Sequence, residues 1–155
     1  FAPIGWAKPV PVNPYNLRHP QRDDILISAA GPVSNLLQAF CYALVMRFVV
    51  AYGGRFLGDS GLSAALLMCW AGIMINSGLA VFNMIPAYPL DGFHVFSNLA
   101  KGESRQRMLE TARFGPMLII FLVVSGRFGV DLLGVIMNPF ISFFVGTVAG
   151  LPNLV

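Results

Sequence analysis

Leu62-Ser63-Ala64-Ala65-Leu66-Leu67-Met68-Cys69-Trp70-Ala71-Gly72-Ile73-Met74-Ile75-Asn76-Ser77-Gly78-Leu79-Ala80-Val81-Phe82-Asn83-Met84-Ile85 carries no charged side chain. At about 1.5 Å per helical residue it reaches roughly 36 Å, more than the roughly 30 Å hydrocarbon core of a bilayer. It lies inside a longer charge-free stretch bounded by Asp59 and Asp91. Gly72, Ser77, Gly78 and Ala80 give it a stripe of small residues of the kind that lets membrane helices approach closely. Pro86 and Pro89 should end the helix near Ile85, because proline lacks an amide hydrogen and disfavours helix in the residue before it.

The rest of the chain repeats this pattern. No charge falls between Asp24 and Arg47, between Arg113 and Arg127, or after Asp131. Of the 155 residues, 56% are hydrophobic and 11% charged, against about 45–50% and roughly 25% in a soluble domain. Disorder is excluded and a soluble globular fold is disfavoured. The reading is an all-α polytopic membrane protein forming one membrane-embedded domain over 1–155. It has about four apolar helices, approximately 25–50, 62–85, 108–126 and 131–151, with a proline-rich loop or hairpin over 1–24. Gly31-Pro32 should break or kink the first helix, and 131–151, with Pro139 inside it, either spans or lies at the interface. Glu103–Arg113 reads as a short surface helix. Trp6–Val12 is the most plausible edge strand.

Residues 1–24 carry three Lys or Arg, 92–114 carry four and 47–61 carry two. Basic residues favour the cytoplasmic side, so 1–24 and 92–114 are expected there. Basic residues are not interleaved with exposed aromatics, so no nucleic-acid partner is expected. The partners implied are the bilayer itself and a membrane-protein or peptide substrate; the oligomeric state is left open. Cys41 and Cys69 sit mid-span with no Cys-x-x-Cys pair, and read as small buried hydrophobes.

Asp91 is the most informative residue. A lone carboxylate beside the membrane core is costly and usually functional. Here it follows backbone broken by Pro86 and Pro89 and precedes Gly92, whose missing side chain permits close backbone approach. It suits a metal ligand or a proton carrier; the alternative is a cap on the helix that follows. Asn83, in the last turn of its helix, could donate to a substrate carbonyl or oxyanion, or simply bond across helices. Asn35 and Asn76 read as interhelical hydrogen-bonding amides. His94 could reach a metal if its segment is helical, but reads more simply as a polar residue at a helix start. His19 reads as a solvated loop residue. Broken helices and a buried carboxylate also occur in transporters, though no half of the chain repeats.

Asn83-Met84-Ile85-Pro86-Ala87-Tyr88-Pro89-Leu90-Asp91-Gly92 matches the N-x-x-P-x-x-P-x-D-G motif and resembles the site-2 proteases, polytopic membrane zinc metallopeptidases. Three further stretches resemble the compact bacterial-type branch: Gly5–Pro14, Arg22-Asp23-Asp24, and Ala29-Ala30-Gly31-Pro32-Val33-Ser34-Asn35. All four occur in the family's order. The resemblance implies that Asp91 is the third ligand of one zinc ion and that Asn83 supports substrate or oxyanion. Gly92, Pro86, Pro89 and Asn35 would support the site, and Gly5–Asn13 would lie near the substrate path. The implied chemistry is metal-assisted hydrolysis of peptide bonds at or within the membrane.

One departure matters. Family members carry His-Glu-x-x-His on a helix before the stretch that starts here, and these 155 residues hold only His19 and His94. Two zinc ligands and the general base are therefore expected from an upstream segment, and this stretch alone is expected to be inactive. The other reading is a non-catalytic scaffold or adaptor on the same fold.

Overall fold

The computed structural model describes residues 17–151. Helix α1 runs from Pro20 to Tyr52. Proline suits a first helical position, where its missing donor costs nothing. The His19 amide donates to the Asp23 carboxylate at 3.0 Å, and the Asp23 amide donates back to the His19 carbonyl. This reciprocal cap starts the helix five residues before the expected position, so Arg22-Asp23-Asp24 lies inside it. The expected break at Gly31-Pro32 is absent, and α1 continues through Pro32. A turn at Gly53–Arg55 leads into α2, Asp59–Asn83.

Helices α1 and α2 are antiparallel and pack more extensively than any other pair. Glycine permits the close approach at two points, while Gly78 of the small-residue stripe faces Met137 of the C-terminal helix instead. A Cβ on Gly72 would lie 2.6 Å from the Tyr42 ring, and one on Gly53 would lie 2.8 Å from Leu62. The core joins Ala39, Ala43 and Met46 of α1 to Cys69 and Ile73 of α2 and to Ile141, Phe144, Val145 and Ala149 near the C-terminus. Cys69 is buried as expected, but Cys41 faces outward, because a single stripe of α1 meets its neighbours.

α2 ends at Asn83, two residues early, and Met84–Leu90 forms a run of tight turns. Next comes α3, Asp91–Leu99, which packs on α1. A helix after Gly92 was expected only in outline, as the element that Asp91 would cap and His94 would begin; it starts at Asp91 itself and ends at Leu99. Its apolar residues are few, but Phe93 and Val95 are buried. α4, Gly102–Thr111, and α5, Gly115–Ser125, are joined by a single tight turn and form one helical run, Gly102–Phe128. The third apolar helix therefore starts six residues before Met108 and absorbs the predicted surface helix. The last helix, α6, runs Leu132–Ser142 and widens into a π-helical segment, Phe143–Val148. Asp131 caps α6 by accepting the Gly134 amide at 2.8 Å.

Pro20–Arg55, Asp59–Asn83 and Gly102–Phe128 are long and apolar enough to cross a membrane; Leu132–Val148 is a shorter apolar helix. Among the described residues there is no strand. The predicted strand at Trp6–Val12, and most of the predicted 1–24 loop, lie outside them. Large apolar side chains face outward on every long helix, with Met68 71% and Met117 73% exposed. Water would penalise such surface, whereas lipid does not. The chain is a polytopic all-α membrane protein.

Candidate metal-ligand site

The site is built where α2 stops. Pro86 follows the last two helical amides, Met84 and Ile85, which bond back to carbonyls three and four residues earlier. The Ala87 amide then closes on the Ile85 carbonyl at 2.8 Å, and the Leu90 amide on the Ala87 carbonyl at 2.9 Å. The chain thus turns twice in seven residues and enters α3 at Asp91.

Gly92 fixes how closely α3 docks. A Cβ there would overlap the Met84 carbonyl and lie 2.6 Å from the Ile85 carbonyl oxygen. Gly115 performs the same service on the other side of the turns, where a Cβ would overlap the Tyr88 backbone. The turn segment is therefore held between two glycine backbones.

Asp91 is half-buried and is the first residue of α3; Leu90 holds the cap position without a side-chain bond. The capping alternative is not the observed arrangement. One carboxylate oxygen, Oδ2, instead faces Gly31 of α1, where a Cβ would stand 3.3 Å away. Among the described residues, no donor is hydrogen-bonded to this carboxylate. Burial pushes the Asp91 carboxyl above the ordinary carboxylate range, and nearby His94 pulls it partly back.

The remaining expected residues divide. Asn83 is the last residue of α2, and its amide donates to the Leu79 carbonyl at 3.0 Å, within its own helix. Asn76 likewise bonds to the Gly72 carbonyl at 2.8 Å, not across helices. A long α-helix offers a carbonyl one turn back, which satisfies such an amide locally. Asn35 lies one turn beyond Gly31, half-buried. Pro86 lines an apolar cleft of about 340 Å³ with Leu36, Ala80, Val81, Met84, Ile85, Ile136 and Phe140. Pro89 is exposed. His19 is exposed at the α1 cap.

His94 belongs to a polar cluster that sequence reading missed. Its Nδ1 lies 3.5 Å from the Asp24 carboxylate. Asn98 donates to that same carboxylate and to the His94 carbonyl. Arg105 of α4 donates to the Asn98 side-chain oxygen at 3.4 Å. The only local signal was the 94–98 spacing of one helical turn, which becomes visible only once α3 is known to be a helix.

Among the described residues, no three His, Cys, Asp or Glu side chains gather as a metal cage. What fits a zinc ion is one ligand's share. Asp91 offers a hard oxygen donor in a half-buried position, next to a glycine that leaves it room.

Residues 50–125 match the family model described as Peptidase family M50. The protein named "Putative zinc metalloprotease YwhC" from Bacillus subtilis (strain 168) is 36% identical over 125 residues. The match takes in 79% of this chain and 55% of that protein, so the chain spans about half the length of this relative. No solved structure gives a significant match.

Proposed function

Because the chain belongs to the site-2 protease family, peptidase family M50, we propose that it is the part of a membrane zinc metalloendopeptidase that supplies the carboxylate ligand, Asp91. The observation that carries this reading is the meeting of Asp91 Oδ2 with Gly31. Two stretches sixty residues apart, each resembling the family's pattern, come together at one carboxylate.

The roles follow from position. Zinc, when bound, polarises a scissile carbonyl and lowers the pKa of its water. Asp91 would hold the ion through its carboxylate. Gly92 lets the Asp91 backbone sit against the end of α2, and Pro86 and Pro89 keep that end from continuing as helix. Asn83 would release the Leu79 carbonyl to donate to a substrate carbonyl. The apolar cleft beside Pro86 would receive an apolar side chain of a membrane-protein or peptide substrate. Two histidines and a glutamate base would come from a segment beyond these 155 residues. We further place the Asp91 end of the bundle on the cytoplasmic side, following the Lys and Arg count.

The test is zinc stoichiometry in the intact gene product. We expect about one zinc per chain, strongly reduced in Asp91→Asn. Unchanged zinc in the variant removes Asp91 as a ligand. An intact protein that takes up no zinc leaves the scaffold or adaptor reading in its place.

A further inference from the structure

Asp24 lies on α1 seven residues, or two turns, before Gly31. Asp91, His94 and Asn98 lie on α3 at intervals of one turn, and α3 runs antiparallel to α1. The two helices therefore meet along one seam. At one end, Asp91 closes on Gly31. At the other, Asp24 accepts from Asn98 and faces His94. Ser28 is buried between them on the α1 side. Arg105 extends the cluster into α4 through Asn98, and its Nε is buried without a partner among the described residues.

Among its apolar side chains α3 buries only Phe93 and Val95, so directional bonds along the seam add to what packing and the Gly92 contact contribute to its register. A slide along α1 by one residue, about 1.5 Å, would carry the Asp91 carboxylate away from Gly31. The hydrogen bond from Asn98 to Asp24 opposes that slide, because it is directional and half-sheltered from water. We propose that Asp24 is a positioning residue: acting through Asn98 and His94, it sets the register of α3 on α1 and so aims the Asp91 carboxylate. The inference rests on the ligand reading of Asp91 for its metal readout, but not for its structural one.

The experiment uses the intact protein. Zinc affinity is measured by chelator competition, and site geometry by the visible absorption of the cobalt-substituted form. Asp24→Ala and Asn98→Ala should each weaken zinc by about 10–100-fold, as partners behind a ligand do, and should shift the cobalt bands. The double variant should be no worse than the weaker single variant, because both residues serve one contact. Asp24→Asn keeps an oxygen that can accept from Asn98 and should retain most of the affinity. A residue that merely held the fold together would lower the melting temperature and leave the cobalt bands in place. Wild-type affinity and bands in Asp24→Ala and Asn98→Ala overturn the proposal, as does strict additivity in the double variant. If Asp24→Ala does not fold, Asn98→Ala carries the same expectation. Asp91→Asn serves as the reference. If it binds zinc normally, the ligand reading has failed. Hydrogen exchange of metal-free Asn98→Ala then decides the positioning role alone: faster exchange confined to 91–99 supports it, and unchanged exchange overturns it.

Discussion

Gly92→Ala is the perturbation closest to Asp91 whose nearest obstacles are all backbone. The new Cβ would overlap the Met84 carbonyl and lie 2.6 Å from the Ile85 oxygen, 0.8 Å short of the 3.4 Å at which ordinary contact begins. No side chain can rotate away to accommodate it. α3 must lift off the end of α2, or the turn must open. Overpacking of this kind costs about 1–3 kcal/mol. Alanine's better helix propensity returns up to about 1 kcal/mol of that. Taking the middle of each range, about 2 less about 0.5, the net loss is about 1.5 kcal/mol, or roughly 3–6 °C in melting temperature for a chain of this size. The displacement falls on the residue next to Asp91, so the carboxylate moves with it. The assay is thermal unfolding of the detergent-solubilised protein, read together with hydrogen exchange of 91–99. Both should change, with exchange accelerated in α3 before α1 or α2. A variant with wild-type melting and wild-type exchange in 91–99 would refute the argument that Gly92 is glycine for reasons of space.

Gly31→Ala should separate stability from the site. A mid-helix glycine replaced by alanine stabilises by up to about 1 kcal/mol; yet the new methyl sits 3.3 Å from Asp91 Oδ2 and must push it by a few tenths of an ångström. Melting temperature should hold or rise while zinc affinity of the intact protein falls, and a variant unchanged in affinity would show that Asp91 does not point at Gly31. Gly72→Ala puts a methyl 2.6 Å from the Tyr42 ring and should destabilise the α1–α2 pair by about 1–3 kcal/mol; restored stability in Gly72→Ala combined with Tyr42→Ala is the check. Asp131→Ala removes the carboxylate that accepts the Gly134 amide and should cost about 0.5–2 kcal/mol, measurable as earlier melting, with Asp131→Asn retaining most of the cap.

The membrane class was legible because it needs only composition and the spacing of charges. A 31-residue gap between Asp59 and Asp91 can be filled by little except a span. Helix ends were less legible. α1 starts at Pro20 because Asp23 bonds back to the His19 amide, a local event that charge counting treats as a polar flank. α3 was legible only as a helix start after Gly92, without an end or a partner, because its burial depends on α1 and its segment carries basic residues that suggest surface. The candidate site divides in the same way. Asp91 and Gly92 stood out by motif and by the oddness of a carboxylate at that place. Asp24 could be quoted but not explained, since its partners Asn98 and His94 lie about seventy residues away.

Sequence alone thus determined that this chain is helical, lies in a membrane, and carries one carboxylate just after proline-broken backbone and beside a glycine that permits close approach. Those are properties of hydropathy and of what proline and glycine allow at their own positions. Tertiary structure decided which helix face receives that carboxylate and what fixes its aim. Register between α1 and α3 depends on close approach at Gly31 and on hydrogen bonds at Asp24. Both are distances between residues remote in the chain, and no local pattern encodes them.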